Sequence, residues 1–331
     1  MNIVLFRNDL RIYDHKALEA ALMGNKEVAA IHFMNTPLLT TYGWGQNRID
    51  WQKANLQTLR NDLKSQHNID LIVEEVPNNC SEAKFIIDTC MNLNPESVFA
   101  GQEFGLNERR RDESLKTMFK VHNVVFEIFN TETVLHLHGI KNKSNLPYKI
   151  YTPFRKIWDA NYSNTYVNTV DIAMDPKLDS EQANEYQWNP GTHSALSRLK
   201  KFITEDIANY HEARDRPVLN GTSSISPWLA VGAISPSMCL APLINLYGKD
   251  IDDWPKGPQV WRQEIVWREF YRYIMLHFDC VSMNKPLQDW TNHVPWNEDK
   301  ILFQKWCNGE TGVEFVDAAM KQLNTTGWMH N

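Results

Sequence analysis

The chain has 331 residues, 43% of them hydrophobic and 22% charged, and its 34 Lys and Arg against 40 Asp and Glu give a net charge of −6. That length and mixture fit two packed domains and exclude a disordered or fibrous protein, while the acidic balance excludes a uniformly basic nucleic-acid binder, so that any positive surface has to be local. Residues 1–6 run straight into Arg7 and Asp9 without a signal-peptide core, and the apolar runs are strand-sized, which argues against export and against a membrane span and places the protein in the cytoplasm.

Through the first 130 residues, β-branched runs at 2–6, 28–33, 71–76, 97–101 and 124–129 alternate with helical stretches at 16–23, 47–66, 80–93 and 107–122. Short apolar strands joined by helix-length crossovers predict an α/β domain with a parallel sheet covered on both faces. The first strand delivers Arg7-Asn8-Asp9-Leu10-Arg11 where a dinucleotide fold would carry G-x-G-x-x-G, and Gly43 and Gly45 sit in a loop, so no Rossmann nucleotide site is expected. From 131 to 189 the period is lost, and Gly139, Pro147, Pro153, Pro176 and then Pro190 punctuate polar segments, as in a long connection. After Ala195 a helical period takes over, at 196–212, 227–231, 235–246, 258–278, 301–308 and 312–323, so the second half is all-α. The expected division is 1–130, an α/β domain; 131–194, a connector; and 195–331, a helical domain. His136 and His138 have no third ligand at metal spacing, and Cys80, Cys90, Cys239, Cys280 and Cys307 are scattered, so neither a metal site nor a disulfide framework is expected.

Twelve tryptophans are the compositional oddity, most of them after position 150. On the helix at 260–278, Trp261, Glu264, Trp267 with Arg268, and Tyr271 recur at steps of three or four residues and share one face. Two readings stay open for that face. It is either a buried Glu–Arg pair in a tryptophan-rich core, or the wall of a cavity for a flat, polar-edged ligand, with indoles to stack on rings, a carboxylate to accept from ring N–H groups and an arginine for phosphate. Ahead of the helix at 227–231, Gly221-Thr222-Ser223-Ser224-Ile225-Ser226-Pro227 offers hydroxyls and backbone N–H groups; here the alternatives are simple capping by Ser226 and an anion cradle, which lacks a P-loop lysine.

From end to end the chain resembles the photolyase/cryptochrome family, most of all the class I cyclobutane pyrimidine dimer photolyases. The resemblance is carried by Phe6-Arg7-Asn8-Asp9-Leu10-Arg11 with Asp14, Tyr151-Thr152-Pro153-Phe154, Thr222-Ser223 with Leu229 and Gly232, Trp267-Arg268-Glu269-Phe270-Tyr271, Asp317-Ala318-Ala319-Met320 and Gly327-Trp328-Met329-His330-Asn331. It implies an antenna domain, a wrapping connector and a helical domain that buries FAD. It also implies that Tyr210, Thr222, Ser223, Ser224, Ile225, Ser226, Trp261, Arg268 and Asn331 contact the flavin or its phosphates. Glu264, Trp267 and Tyr271 fall on the dimer-facing side, where Arg268 and Asn331 also reach the DNA, and Arg214 matches a phosphate contact. Trp296 matches the outer position of a tryptophan electron relay.

The implied activity is that of a deoxyribodipyrimidine photo-lyase, acting as a monomer on ultraviolet-damaged DNA. Reduced, light-excited FAD donates one electron to a flipped-out dimer and recovers it after the ring splits, with Glu264 and Trp267 as catalytic residues. Asn107 and Glu108 match positions that hold a folate antenna (methenyltetrahydrofolate), although Tyr42 stands where folate-type members have His and Met283 where they have Lys, with Lys285 nearby. A deazaflavin, another chromophore or none are the alternatives. Because the family runs on past the motif that ends at Asn331, the resemblance further implies that the sequence stops inside the flavin domain and that a chain ending there holds FAD weakly or not at all. Repair enzyme, light-sensing flavoprotein and inactive remnant are the three functional readings, and Glu264 is what favours the first.

Overall fold

The computed structural model describes residues 1–24, 26–78, 80–164 and 188–331. Five parallel strands, β1 (Asn2–Phe6), β2 (Val28–Met34), β3 (Leu71–Glu75), β4 (Ser97–Gly101) and β5 (Val125–Phe129), form one sheet in the order β3-β2-β1-β4-β5. The strand β1 lies at the centre, with Val4 opposite Ala30 on one side and Phe99 on the other. Burial of both faces explains why β1 reads as a continuous apolar run, whereas the edge strands β3 and β5 are partly exposed and carry Glu74, Glu75 and Glu127. Ile3 and Leu5 face α4 (Glu82–Met91) and α5 (Leu106–Val121) through Ile86, Ile87, Leu115 and Phe119. Val4 and Phe6 face α1 (Lys16–Leu22) and α3 (Gln46–His67), and the core on that side continues without a break into the helical half. The short α2 (Thr36–Thr41) has no counterpart among the expected elements, because it buries no residue and so leaves no periodic trace.

The helical half comprises α6 (Tyr151–Asn164), α7 (Thr192–Glu205), α8 (Tyr210–Ala213), α9 (Ser226–Val231), α10 (Pro236–Tyr247), α11 (Lys256–His277), α12 (Asp279–Ser282), α13 (Lys300–Asn308) and α14 (Glu314–Thr326). Two expectations are corrected. The connector contains a real helix, α6, in which Phe154, Trp158 and Tyr162 are buried at helical spacing and Pro153 is tolerated in the first turn; its stretch at 165–187, with Pro176, lies outside the described residues. The single helix expected at 196–212 is broken after Glu205 by a 3-10 turn at Ile207–Asn209. There α11 comes so close that a Cβ on Gly257 would lie 2.0 Å from the Ile207 carbonyl oxygen. Among the described residues no helix is long and apolar enough to cross a membrane, and no group of His, Cys, Asp and Glu is placed to hold a metal ion.

The two halves are joined through the loop after β1. Leu10 N–H donates to the Val231 carbonyl at 3.0 Å, and the buried Arg11 guanidinium donates to the carbonyls of Tyr13, Asp14, Thr131 and Gly232 at 2.8–3.1 Å. Beside it Asp9 accepts from the Arg7 N–H at 2.7 Å and the Thr131 hydroxyl at 3.0 Å, and lies 3.2 Å from His15 Nε2. Burial alone would raise the Asp9 pKa, but His15, the Arg7 N–H and Arg11 outweigh it and hold the carboxyl well below the usual range. The close approach is possible because Gly232 ends α9 at φ +69°, where a Cβ would fall 2.0 Å from the Asn8 carbonyl oxygen. Gly232→Ala is therefore expected to destabilise the chain by about 2–4 kcal/mol, from left-handed strain plus overlap. Urea unfolding of the two proteins measures it, and a loss below about 1 kcal/mol would show that the loop gives way freely.

Candidate functional site

The helix α11 is built as the sequence implies, with Trp261, Ile265, Val266, Phe270 and Tyr273 buried. Its expected functional face grades from core to solvent: Trp261 is 2% exposed, Glu264 and Trp267 are half-buried, and Tyr271 is 59% exposed. Glu264 does not pair with Arg268. Its Oε1 accepts from Arg214 Nη1 at 2.6 Å, across from α8, and the Arg214 guanidinium lies 5.6 Å from the Tyr210 ring. Phe202 bridges the buried rings, 5.7 Å from Tyr210 edge-on and 5.4 Å from Trp261. Burial, with Glu264 as the next cause, pushes the Tyr210 phenol up to about 12. Tyr210, Arg214, Trp261 and Glu264 are thus one cluster, and Trp267 adjoins it on the same helix, stacked with Tyr151 at 3.5 Å and obliquely with Tyr271 at 5.8 Å.

Arg268 turns the other way, donating to the carbonyls of Glu132 at 2.7 Å and Leu229 at 3.2 Å, while Arg272 donates to the Glu132 carboxylate at 2.9 Å. Burial and then repulsion from Arg272 lower the Arg268 pKa to about 10. Next to it, Glu269 is fully buried and accepts from Trp158 Nε1 at 2.7 Å and from the N–H groups of Val134 and Leu135. Desolvation outweighs these donors and raises the Glu269 pKa to about 7. Sequence reasoning had no role for Glu269; a carboxylate on the apolar side of an amphipathic helix was the available signal.

In the 221–226 loop, Arg198 donates to the carbonyls of Ser223 and Thr222, both at 2.9 Å. Arg198 belongs to α7 and was another residue the sequence did not single out. Ser224 is held at φ +50°, and Ile225, not Ser226, stands at the N-cap position of α9, with no side-chain cap bond; Ser226 is the exposed first residue of the helix. With their carbonyls turned to Arg198, Thr222 and Ser223 lie in a loop whose backbone N–H groups find no acceptor among the described residues. Successive open N–H groups at a left-handed turn make an anion cradle.

The remaining expected residues lie apart from this cluster. Asn107 donates to the Tyr42 hydroxyl at 2.8 Å, and Glu108 lies over Gly105 at the start of its own helix, where burial raises its pKa. Ser282, at the end of α12, accepts from the Leu106 N–H, and the neighbouring Met283 is about half exposed. Trp296 is 77% exposed, Asn331 is exposed at the last position, and α13 and α14 carry exposed Ile301, Phe303, Trp306 and Phe315.

The helical half docked on the parallel sheet thus carries clustered aromatic rings and a hydroxyl-rich loop held by Arg198, the chemistry of a protein class that binds a ring-bearing, phosphorylated cofactor. Comparison with known proteins agrees: residues 2–175 match the DNA photolyase family and residues 261–331 match the FAD binding domain of DNA photolyase. The whole chain is 30% identical to the deoxyribodipyrimidine photo-lyase of Vibrio cholerae, covering 73% of it, and 29% identical to that of Escherichia coli, covering 72%. The chain belongs to the DNA photolyase family and carries part or all of its FAD-binding domain. In fold it is similar over its full length to a class III photolyase from Agrobacterium tumefaciens (TM-score 0.78, 23% identity, 70% of that chain) and to a Synechocystis cryptochrome (TM-score 0.79, 22% identity, 72% of that chain).

Two outcomes are expected. A buried acid whose folded pKa is raised contributes most below its unfolded pKa, near 4.5, and loses that contribution as the pH climbs through about 7. Relative to Glu269→Gln, the wild type should lose stability between pH 5 and 8, by on the order of 3 kcal/mol, in urea unfolding at each pH. Parallel curves for the two proteins would mean that Glu269 does not titrate in that window. Arg198→Ala should free the 222–223 carbonyls and weaken FAD binding about tenfold in a flavin-quenching titration, with little loss of helicity; unchanged FAD affinity would separate the loop from the cofactor.

Proposed function

We propose that this chain, acting in the cytoplasm as a monomer and divided near residues 130 and 194, reverses cyclobutane pyrimidine dimers in DNA with FAD and light. The observation that carries this reading is the Arg214–Glu264 pair at 2.6 Å beside Trp267: a carboxyl acceptor and a stacking ring presented together on α11. The residues fit the cofactor. Backbone N–H groups of Thr222, Ser223, Ser224, Ile225 and Ser226 suit its phosphates, and Trp261 with Tyr210, packed on Phe202, is the buried wall behind the site assigned to its rings. Arg268, already bound to two carbonyls, holds that wall against the segments at 132 and 229. When bound and reduced, FAD supplies light-driven one-electron donation.

The chain's own share is recognition. Trp267 stacks a flipped-out pyrimidine, Tyr271 extends the platform toward solvent, and Glu264 accepts from a ring N–H. Arg214 holds Glu264 with one N–H and has others left for a DNA phosphate, which supplies the local positive charge that a net −6 conceals. Trp296, exposed at the surface, is assigned the outer position of a tryptophan electron relay. Asn107 and Glu108 are proposed as a folate antenna site, where Tyr42, in place of the His of folate-type members, accepts from Asn107. The fold likeness to a cryptochrome keeps a light-signalling flavoprotein as the second reading.

Glu264→Ala should lower dimer repair by about tenfold while FAD affinity changes less than about twofold; equal repair by both proteins would remove Glu264 from the reaction. Arg214→Ala should weaken DNA binding at every sequence and flatten the log-affinity against log-salt slope by roughly 0.7–0.9. An unchanged slope in anisotropy titrations would place Arg214 away from the phosphates.

A further inference from the structure

Trp267 does not offer a bare face. Tyr151 lies flat on it, ring centroids 3.5 Å apart and planes 9° apart, whereas Tyr271, one turn along α11, overlaps it only obliquely at 27°. The Tyr151 hydroxyl donates to the Gln263 carbonyl at 3.3 Å, and the phenol pKa is raised first by burial and also by the nearby charges of Asp159 and Glu264. A flat ring stacked on Trp267, with its polar edge on α11 and Glu264 within electrostatic reach, is the pose that the proposed function assigns to a pyrimidine.

The rest of the α6 stripe is immobilised. Phe154 and Trp158 are fully buried, and the Trp158 indole is tied to Glu269. Tyr151 differs in kind. It is only partly buried and sits at the first residue of the helix, where the Phe154 N–H reaches the Ile150 carbonyl only at 3.5 Å, and the segment before it exposes Leu146 and Ile150. A side chain at a loosely bonded first turn can leave its site by rotating about χ1 without unfolding the helix.

We propose that Tyr151 is a gate residue that occupies the stacking position on Trp267 when no nucleobase is bound and swings out as a pyrimidine ring enters. The gate rests on the reading of Trp267 and Glu264 as dimer-facing. Its consequence is selectivity: an incoming ring has to displace a tyrosine stack, which a damaged, already unpaired base does more readily than one held in a normal stack. Opening the gate therefore strengthens binding and relaxes discrimination together.

The test is fluorescence anisotropy in the dark, with a single-stranded oligonucleotide carrying one thymine dimer and the same sequence undamaged. The proteins are the full chain, Tyr151→Ala and Tyr151→Leu, each with and without Trp267→Ala; leucine keeps an apolar cover for Phe270 should alanine loosen α6. Both Tyr151 variants should bind the dimer oligonucleotide about two- to tenfold more tightly, the range an aromatic pair is worth, with a smaller preference over undamaged DNA. The gain should vanish in the Trp267→Ala background. Unchanged or weaker dimer binding by both variants, with the wild type still preferring damaged DNA, overturns the gate and leaves the dimer-facing reading intact. No preference for damage in any of the proteins overturns that reading and the gate with it.

Discussion

The joint between the sheet and the helical half hangs on one buried guanidinium. Arg11 is 1% exposed and directs four hydrogen bonds at the carbonyls of Tyr13, Asp14, Thr131 and Gly232, so it ties the loop after β1 to the connector and to the end of α9 at once. A charge so deeply buried is tolerable only where its donors are satisfied and counter-charge is near; Asp9, Asp14 and Glu132 supply it. The same two segments are gripped from the opposite end by α11, through Arg268 on the carbonyls of Glu132 and Leu229 and Arg272 on the Glu132 carboxylate. The sheet domain therefore positions the helix that presents Trp261, Glu264 and Trp267, although it contributes none of those side chains.

Within that frame, three carboxylates live under different electrostatics. Asp9, surrounded by donors and positive charge, is held ionised. Glu269, more deeply desolvated than it is compensated, is pushed toward neutrality near pH 7 while still fastening Trp158 and the chain at 134–135 to α11. Glu264 is half-buried and answered by Arg214, which leaves it paired and reachable from solvent. Only the last combination suits contact with a ligand, and it lies beside the one tryptophan on that face that is not sealed into the core.

Much of this was legible in the sequence. All five strands stand within a residue or so of their expected places, because apolar runs between polar turns leave few alternatives, and the face of α11 was readable from its spacing. What escaped was set by tertiary contact. The helix broken at Asp206 yields to the approach of Gly257, and α6 hides among prolines because, among its described side chains, Tyr151, Phe154, Trp158 and Tyr162 carry its packing against the core. Pairing partners were equally invisible: Glu264 finds Arg214 fifty residues away rather than Arg268 four residues on, and Arg198 reaches the 222–223 carbonyls from another helix. Such partners depend on how helices cross, which no local pattern encodes.

In the function proposed for it, this arrangement turns light into dimer repair. The most direct measurement is to load the 331-residue chain with FAD, reduce it, and follow thymine released from a dimer-containing oligonucleotide under blue or near-ultraviolet light and in the dark. Repair that requires both FAD and light is the predicted result. A chain that binds FAD and the damaged oligonucleotide yet restores no thymine under illumination would contradict the claim and favour the signalling reading.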